Sequence, residues 1–465
     1  MFKNKQKISD VINEEEIAGI ISSSAKSLPQ EIREILKKAH GMNGLTLKEA
    51  ASLLSVTDEG LGLEINEAAG RVKRRVYGDR LVLFAPLYTS SHCVNDCAYC
   101  GFRRSNNLDR VRLTIDEVRE ETEALIEMGH KRVLLESGED PLLNDIDYTL
   151  EAIEAIYSVK PGSGEIRRVN VNIAATSVDN YRRLKAASIG TYQLFQETYH
   201  RATYESLHSG PKADYERQLF AHDRAFEAGI DDVGLGALFG LYDYRFETLA
   251  LLSHARYLES KFNVGPHTFS VPRLRPATGA KVDTRYAVTD SELLRVIAVL
   301  RLAVPYTGMI ISTRESAGLR SLAFEIGISQ ASACSKARPG GYTKKEGRSE
   351  RGQFEVGDTR AMDVFLRQTL DEGLLPSFCT ACYRRGRTGE AFMKLARPGD
   401  IHHLCSPNAL LTFKEYLEDF APGDIKLKGE SVIEKYLGEI EDPLLRDETR
   451  EGLKRIEGGV RDIYF

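Results

Sequence analysis

Leu81-Val-Leu-Phe-Ala-Pro-Leu87 leads into Cys93-Val-Asn-Asp-Cys97-Ala-Tyr-Cys100 and then, past Thr114 and Glu117, into Arg132-Val-Leu-Leu-Glu-Ser137. The first and last stretches are short apolar runs. Between them an amphipathic segment at 114–128 opens on a capping box and stops at Gly129, which makes one β-α-β unit. The same alternation recurs outward from it. Strand candidates lie at 81–87, 132–137, 168–174, 191–196, 232–237, 266–272, 308–313 and, weakly, 326–331, and a second amphipathic helix is expected over 214–228, ending at Gly229. Eight such alternations over about 250 residues match a (β/α)8 barrel, whereas an open doubly wound sheet would want G-x-G-x-x-G after its first strand. The fold expected is therefore α/β, a TIM-type barrel over 79–358 with an N-terminal helical extension over 1–78 and a mostly helical C-terminal domain over 359–465.

In the extension, Ile32, Ile35, Leu36 and Ala39 recur at helical spacing, as do Leu47, Ala50, Ala51 and Leu54, the latter after a capping box of Thr46 and Glu49. The stretch 336–357, with Arg338-Pro339-Gly340-Gly341 and then Lys344, Lys345 and Glu346, reads as a long exposed loop or linker. A closing helix is expected over 359–372, ended by Gly373.

The 465 residues are 42% apolar and 28% charged, ordinary for a globular protein. A net charge of −5 excludes a generally basic nucleic-acid binder. The greasiest stretch, 293–311, carries Arg295, Arg301 and Pro305, so no membrane span is expected. The polar start, 1–11, lacks a signal-peptide core, and a cytoplasmic protein is the expectation.

Cysteine is the informative residue. Seven thiols in a chain without a secretion signal argue against a disulfide framework. Six fall into two groups, Cys93/Cys97/Cys100 (C-x3-C-x2-C) and Cys379/Cys382/Cys405 (C-x2-C-x22-C). Three thiolates can hold three irons of a [4Fe–4S] cube and leave the fourth iron open. A structural zinc site would want a fourth ligand: His92 is adjacent to Cys93 and poorly placed, while His402 or His403 could complete the second group. Cys334, where Gly or another small residue would be expected, reads as a small hydrophobe rather than a ligand.

The first motif resembles that of the radical S-adenosylmethionine (SAM) superfamily. The resemblance implies a SAM-binding [4Fe–4S] cluster on Cys93, Cys97 and Cys100, with Tyr99 by the adenine, Ser137-Gly138-Glu139 at the SAM amino group, Glu197 also holding SAM, and Arg217 pairing with its carboxylate. Within that superfamily the whole chain resembles the tyrosine-lyase maturases of [FeFe]-hydrogenase. The marks are the second cysteine group, Gln196-Glu197-Thr198-Tyr199, Gly265-Pro266-His267-Thr268, Ser270-Val271-Pro272-Arg273 and Ser312-Thr313-Arg314-Glu315. The thiamine-pathway lyase, 2-iminoacetate synthase, shares the barrel but lacks the C-terminal cysteines.

That family cleaves L-tyrosine between Cα and Cβ. Tyrosine (C9H11NO3) minus p-cresol (C7H8O) leaves dehydroglycine, C2H3NO2, which equals CO plus HCN plus water. The resemblance implies a second [4Fe–4S] cluster on Cys379, Cys382 and Cys405 carrying an additional mononuclear iron. On that iron CO and cyanide become an Fe(CO)2(CN) unit for hydrogenase cofactor assembly, with a radical SAM companion and a scaffold GTPase as partners. His267 would be a ligand to the extra iron, with the sixth strand placing it at the barrel mouth, and Arg314 would clamp the tyrosine carboxylate. The rivals are a thiamine-pathway lyase with a zinc-binding tail and a non-catalytic iron–sulfur carrier.

Overall fold

Each strand of the sheet is parallel to its neighbours and runs from a polar base toward a mouth where the strands release their loops. In this computed structural model, which describes residues 7–25, 27–162, 164–343 and 352–465, the strands are β1 (Arg80–Ser90), β2 (Arg132–Ser137), β3 (Arg168–Asn172), β4 (Tyr192–Gln193), β5 (Val233–Gly236), β6 (Thr268–Ser270), β7 (Gly308–Ile311) and β8 (Gln330–Ser332). Pairing proceeds in chain order, and β1 meets both β8 and β2, so the barrel closes. Of the four N-terminal helices, Glu14–Ser24, Leu47–Leu54 and Glu59–Tyr77 pack on the outer barrel helices Tyr244–Phe262 and Asp290–Ala303, while Pro29–Ala39 packs on Leu47–Leu54 and Glu59–Tyr77. The capping boxes of Thr46 and Thr114 form as the sequence predicts.

Four expectations need correction. The weak eighth strand lies at 330–332, because Ser316 caps a helix, Ala317–Ile326, whose apolar Leu319, Ala323, Phe324 and Ile326 are buried at helical spacing. The helix expected over 214–228 breaks at Phe220 into Tyr215–Leu219 and Ala221–Glu227, since the Arg224 guanidinium takes the Arg217 carbonyl (2.6 Å) that a continuous helix would use. The stretch 336–357 is no exposed linker where it is described. Ala337, Gly340 and Gly341 are buried, and Tyr342 donates to the Pro86 carbonyl (2.6 Å). Lys344, Lys345 and Glu346 lie outside the described residues. His267 sits at the base: it precedes β6, and its N–H donates to Val233 at the start of β5 (2.9 Å). Placing it at the mouth mistook the entry of a short strand for its exit.

A ninth strand, β9 (Leu375–Ser377), lies beyond position 358 and was not anticipated. It pairs with β1 at Arg80, Leu81 and Val82, below the point where β2 joins at Ala85. The helix before it, Met362–Asp371, ends as expected near Gly373, which takes φ +74. Beyond β9 the helix His402–Asp419 is fastened to the barrel base through Glu415. This fully buried carboxylate meets Lys131 (3.0 Å) and Arg167 (2.8 Å), both almost fully buried.

Glu415→Ala would leave the buried Lys131 ammonium without an ion-pair partner among the described residues, whereas Arg167 keeps Glu165 (3.3 Å) and Asp462 (3.2 Å), at about 3–5 kcal/mol. A drop in unfolding temperature clearly larger than that of Glu64→Ala, which breaks an exposed pair with Arg33, is the expected result of parallel thermal melts.

Candidate functional site

Loops at the C-terminal ends of the strands surround a cavity at the barrel mouth, open to solvent. Its lining includes Cys93, Cys97, Cys100, Tyr99, Ser137, Gly138, Glu139, Glu197 and Arg314. The cysteine loop is braced by the turn after β2. Val94 N–H donates to the Glu139 carbonyl (2.7 Å), and a Cβ at Gly138 would lie 2.3 Å from the His92 carbonyl oxygen, so only glycine allows the approach. Asn95 donates to one oxygen of Glu139 (2.7 Å) and Arg217 to the other (2.6 Å). Arg217 thus reaches the site through Glu139 rather than as a solvated helix charge.

Sequence reasoning missed Lys212 and Asn95. The Lys212 ammonium meets Glu197 at 2.7 Å, and its backbone N–H donates to the Asn95 side chain (2.9 Å). Burial works against that ammonium, yet Glu197 and Cys97 hold its pKa above the ordinary value. Tyr99 is buried and hydrogen-bonded to His208 Nε2 (2.9 Å). Arg314 stands over the Phe354 ring, 3.3 Å from its centroid, and does not pair with Glu315, whose carboxylate binds Arg273. Nothing in the residue order alone would bring Lys212 to Glu197, because a short 3-10 turn, Pro211–Ala213, supplies it.

The second cysteine group is gathered at the opposite end. Paired with the lower end of β1, β9 delivers Cys379 to the base, where Arg132 donates to the Cys379 carbonyl (2.7 Å). Cys405 comes from the first turn of the helix His402–Asp419, held by the stacked rings of Phe378 and Tyr416 (4.9 Å). The thiols of Cys379, Cys382 and Cys405 share the neighbourhood of Arg80, the first residue of β1. His267 lies here too: Nε2 is 3.3 Å from the Tyr383 hydroxyl, next in sequence to Cys382, and Nδ1 is 3.6 Å from Asp232. Burial lowers the His267 pKa, so the imidazole is neutral, the form that ligates metal. His402 faces Gly78 and Ser406. Val82 and Ser90 are separated by roughly 25 Å of strand, the scale of the distance between the two groups.

Both groups suit a cluster better than one ion. With Zn–S near 2.3 Å, sulfurs round a zinc ion sit roughly 3.8 Å apart. Among the described residues the only trio of His, Cys, Asp or Glu ligand atoms within 4.8 Å of one another is Glu418, Glu430 and Glu457, and the Lys414 ammonium fills it at 2.5–2.9 Å. Burial pushes the Cys97 thiol up to about 12 against the pull of Lys212, and Cys405 up to about 12 against that of Arg80. Thiols so buried become thiolates when iron supplies the compensating charge. Cys334 takes φ +55, a backbone conformation that favours glycine, and its thiol contacts the Arg360 carbonyl (3.6 Å).

Residues 87–253 match the radical SAM superfamily model, and 270–375 match the biotin and thiamin synthesis associated domain. The chain is 32% identical over 343 residues to 2-iminoacetate synthase of Escherichia coli, covering 73% of this chain and 89% of that protein. A crystal structure of HydG, a maturase of the [FeFe]-hydrogenase, superimposes with TM-score 0.95 at 53% identity, covering 98% of this chain and all of that one. HydG from Carboxydothermus hydrogenoformans superimposes at 0.85 and 40% identity, covering 97% and 100%.

At the mouth, Glu197 holds φ +68, a conformation that costs a non-glycine residue energy. Glu247, buried beneath, fixes that turn by accepting from the Thr198 hydroxyl and from Tyr199 N–H (2.8 Å). Burial raises the Glu247 carboxyl from 4.5 to about 8, the hydrogen bonds opposing it. Between those values the folded state holds a proton that the unfolded state has lost, so this group's contribution to stability falls as pH rises from about 4.5 to about 8. Glu247→Gln should flatten that part of the wild-type dependence of melting temperature on pH. Identical slopes in the two proteins would show that Glu247 is ionised throughout.

Proposed function

The chain belongs to the radical SAM tyrosine lyase family, alongside 2-iminoacetate synthase and the HydG maturases, and from this we propose that it cleaves L-tyrosine to p-cresol and dehydroglycine and turns the latter into CO and cyanide on iron. The observation that carries the reading beyond the thiamine-pathway reaction is the second three-cysteine group at the barrel base, with the neutral imidazole of His267 in the same neighbourhood. A lyase that stops at dehydroglycine has no use for it.

Cys93, Cys97 and Cys100 would hold the first [4Fe–4S] cluster, which with SAM supplies the 5′-deoxyadenosyl radical. Glu139, locked by Asn95 and Arg217, keeps the cysteine loop and the β2 turn in one rigid piece beside the cofactor. Glu197, held by Lys212 at 2.7 Å, would offer SAM an oriented carboxylate. Arg314, its guanidinium over the Phe354 ring, would take the tyrosine carboxylate as a bidentate fork. Cys379, Cys382 and Cys405 would hold the second cluster, with His267 a further ligand for the mononuclear iron that leaves as product. Asp232 near Nδ1 turns Nε2 toward Tyr383 and the cysteines. The product would pass to the companion radical SAM maturase and scaffold GTPase. No helix among the described residues is long and apolar enough to cross a membrane, in keeping with work in the cytoplasm.

Anaerobic incubation of the reconstituted enzyme with SAM, reductant and tyrosine should yield p-cresol, CO and cyanide together. Cys93→Ala should yield none of them and no 5′-deoxyadenosine; persistent 5′-deoxyadenosine from that variant would end the radical SAM reading for this chain. p-Cresol with free dehydroglycine and neither CO nor cyanide would favour the thiamine-pathway reaction.

Cys379→Ser with Cys382→Ser should leave p-cresol formation within about threefold of wild type while CO falls at least tenfold, since the radical step belongs to the mouth. Loss of p-cresol with the first cluster still loaded would refute that division of labour.

A further inference from the structure

Among the described residues five charged side chains line the mouth cavity: Glu136, Glu139, Glu197, Lys212 and Arg314. Three are engaged, Glu197 with Lys212 and Glu139 with Arg217 and Asn95. That leaves one acid and one guanidinium, Glu136 and Arg314, neither in an ion pair with another described residue. Glu136 stands on β2 directly opposite Tyr88 of β1. It alternates with Leu134 on the same face of the strand, and both side chains point into the cavity.

Leu134 belongs with Phe84 and Ile310 to a small apolar cluster of its own. Going up the strands toward the mouth, polar groups follow on the same faces: Tyr88 beyond Pro86 on β1, Glu136 on β2, Ser312 and Arg314 after β7. The cavity is therefore amphipathic in a definite order, with an apolar floor under a rim whose Glu136 and Arg314 are in no ion pair with another described residue. Burial pushes the Glu136 carboxyl up to about 7, with Tyr88 and Arg314 opposing, so this acid gains from an incoming cation.

Resting on the tyrosine lyase reading, we propose that Glu136 receives the α-ammonium of the substrate while Arg314 receives its α-carboxylate, so that the pair selects a free zwitterionic α-amino acid and sets its aromatic arm on the Phe84, Leu134 and Ile310 floor. An α-amino acid bears its two charges on one carbon, and an acid facing a guanidinium across one cavity matches that pairing. Glu136 holds the nitrogen end of the molecule, which fixes where Cα and Cβ lie relative to the rim. A peptide N-terminus, lacking the carboxylate, or a deaminated acid, lacking the ammonium, would satisfy only half of the pair and leave the other charge buried alone.

The test is a chemical double-mutant cycle on the SAM-loaded, cluster-reconstituted enzyme. Binding of L-tyrosine and of 3-(4-hydroxyphenyl)propionate, the same molecule without its amine, is measured on wild type and on Glu136→Gln. Wild type should prefer tyrosine by roughly 10- to 100-fold. Glu136→Gln should lose most of that preference by weakening tyrosine alone, with the deaminated acid and SAM bound within about twofold of wild type. Glu136→Asp, which keeps the charge, should retain part of the preference and guards against a folding defect in the amide variant. Equal weakening of both ligands, no weakening of either, or a selective loss of SAM affinity would each overturn the assignment. A wild-type enzyme that does not bind tyrosine would overturn the tyrosine reading itself, a failure visible without any variant.

Discussion

The backbone of β1 is shared among three other strands. Its first residues, Arg80 to Val82, pair with β9, Val82 to Phe84 with β8, and its last half, from Ala85 to Ser90, with β2. Both cysteine groups depend on that sharing. The loop that leaves its upper end carries Cys93, Cys97 and Cys100, and the strand that intrudes at its lower end delivers Cys379. Because one hydrogen-bonded ribbon sets the position of both, the distance between the sites is a property of the barrel wall rather than of a flexible linker. On the function proposed above, the barrel would keep apart a radical step at the mouth and iron chemistry at the base.

The two ends are built by different means. At the mouth, loops do the work, as in other (β/α)8 enzymes, and the charges there are held in local pairs such as Lys212 with Glu197. At the base, first residues of strands do the work: Arg80 of β1, Arg132 of β2 and Arg168 of β3 turn toward the C-terminal segment, with Asp232 and His267 from the entries to β5 and β6. The base of such a barrel ordinarily serves stability. Here a group of cations stands by the buried Cys405 and the half-buried Cys379 and Cys382, an environment that favours thiolates.

Much of this was legible in the residue order, and the reasons differ from place to place. Strand and helix periodicity revealed the barrel, because each β-α unit is local and its caps, such as Thr114 with Glu117, are spelled out within four residues. The cysteine spacings marked both sites for the same reason. What could not be read were contacts made between distant segments by tertiary geometry. Leu375-Pro-Ser377 is too short and too ordinary to announce a strand, and becomes one only because β1 has unpaired groups at its lower end. Lys212 and Glu136 look like any other charged residues until the barrel turns them inward. The misplacement of His267 came from the brevity of β6: three residues leave little room between entry and exit, and one step decides which end of the barrel a side chain serves.

The wedge of β9 against β1 also has a kinetic side. Emerging from the ribosome, β1 is made early, yet its partner at residues 375–377 is synthesised almost 300 residues later. At about 5–20 residues per second that is a wait of roughly 15–60 s. During it the lower edge of β1 and the apolar faces of the early helices have no final partner, and β8, needed for closure, arrives only shortly before β9. A barrel completed by its last strands has a high contact order and an exposed edge for most of its synthesis, conditions that favour chaperone engagement and aggregation over spontaneous folding. Folding yield in a foreign host should therefore track translation speed and chaperone supply before it tracks iron and sulfide.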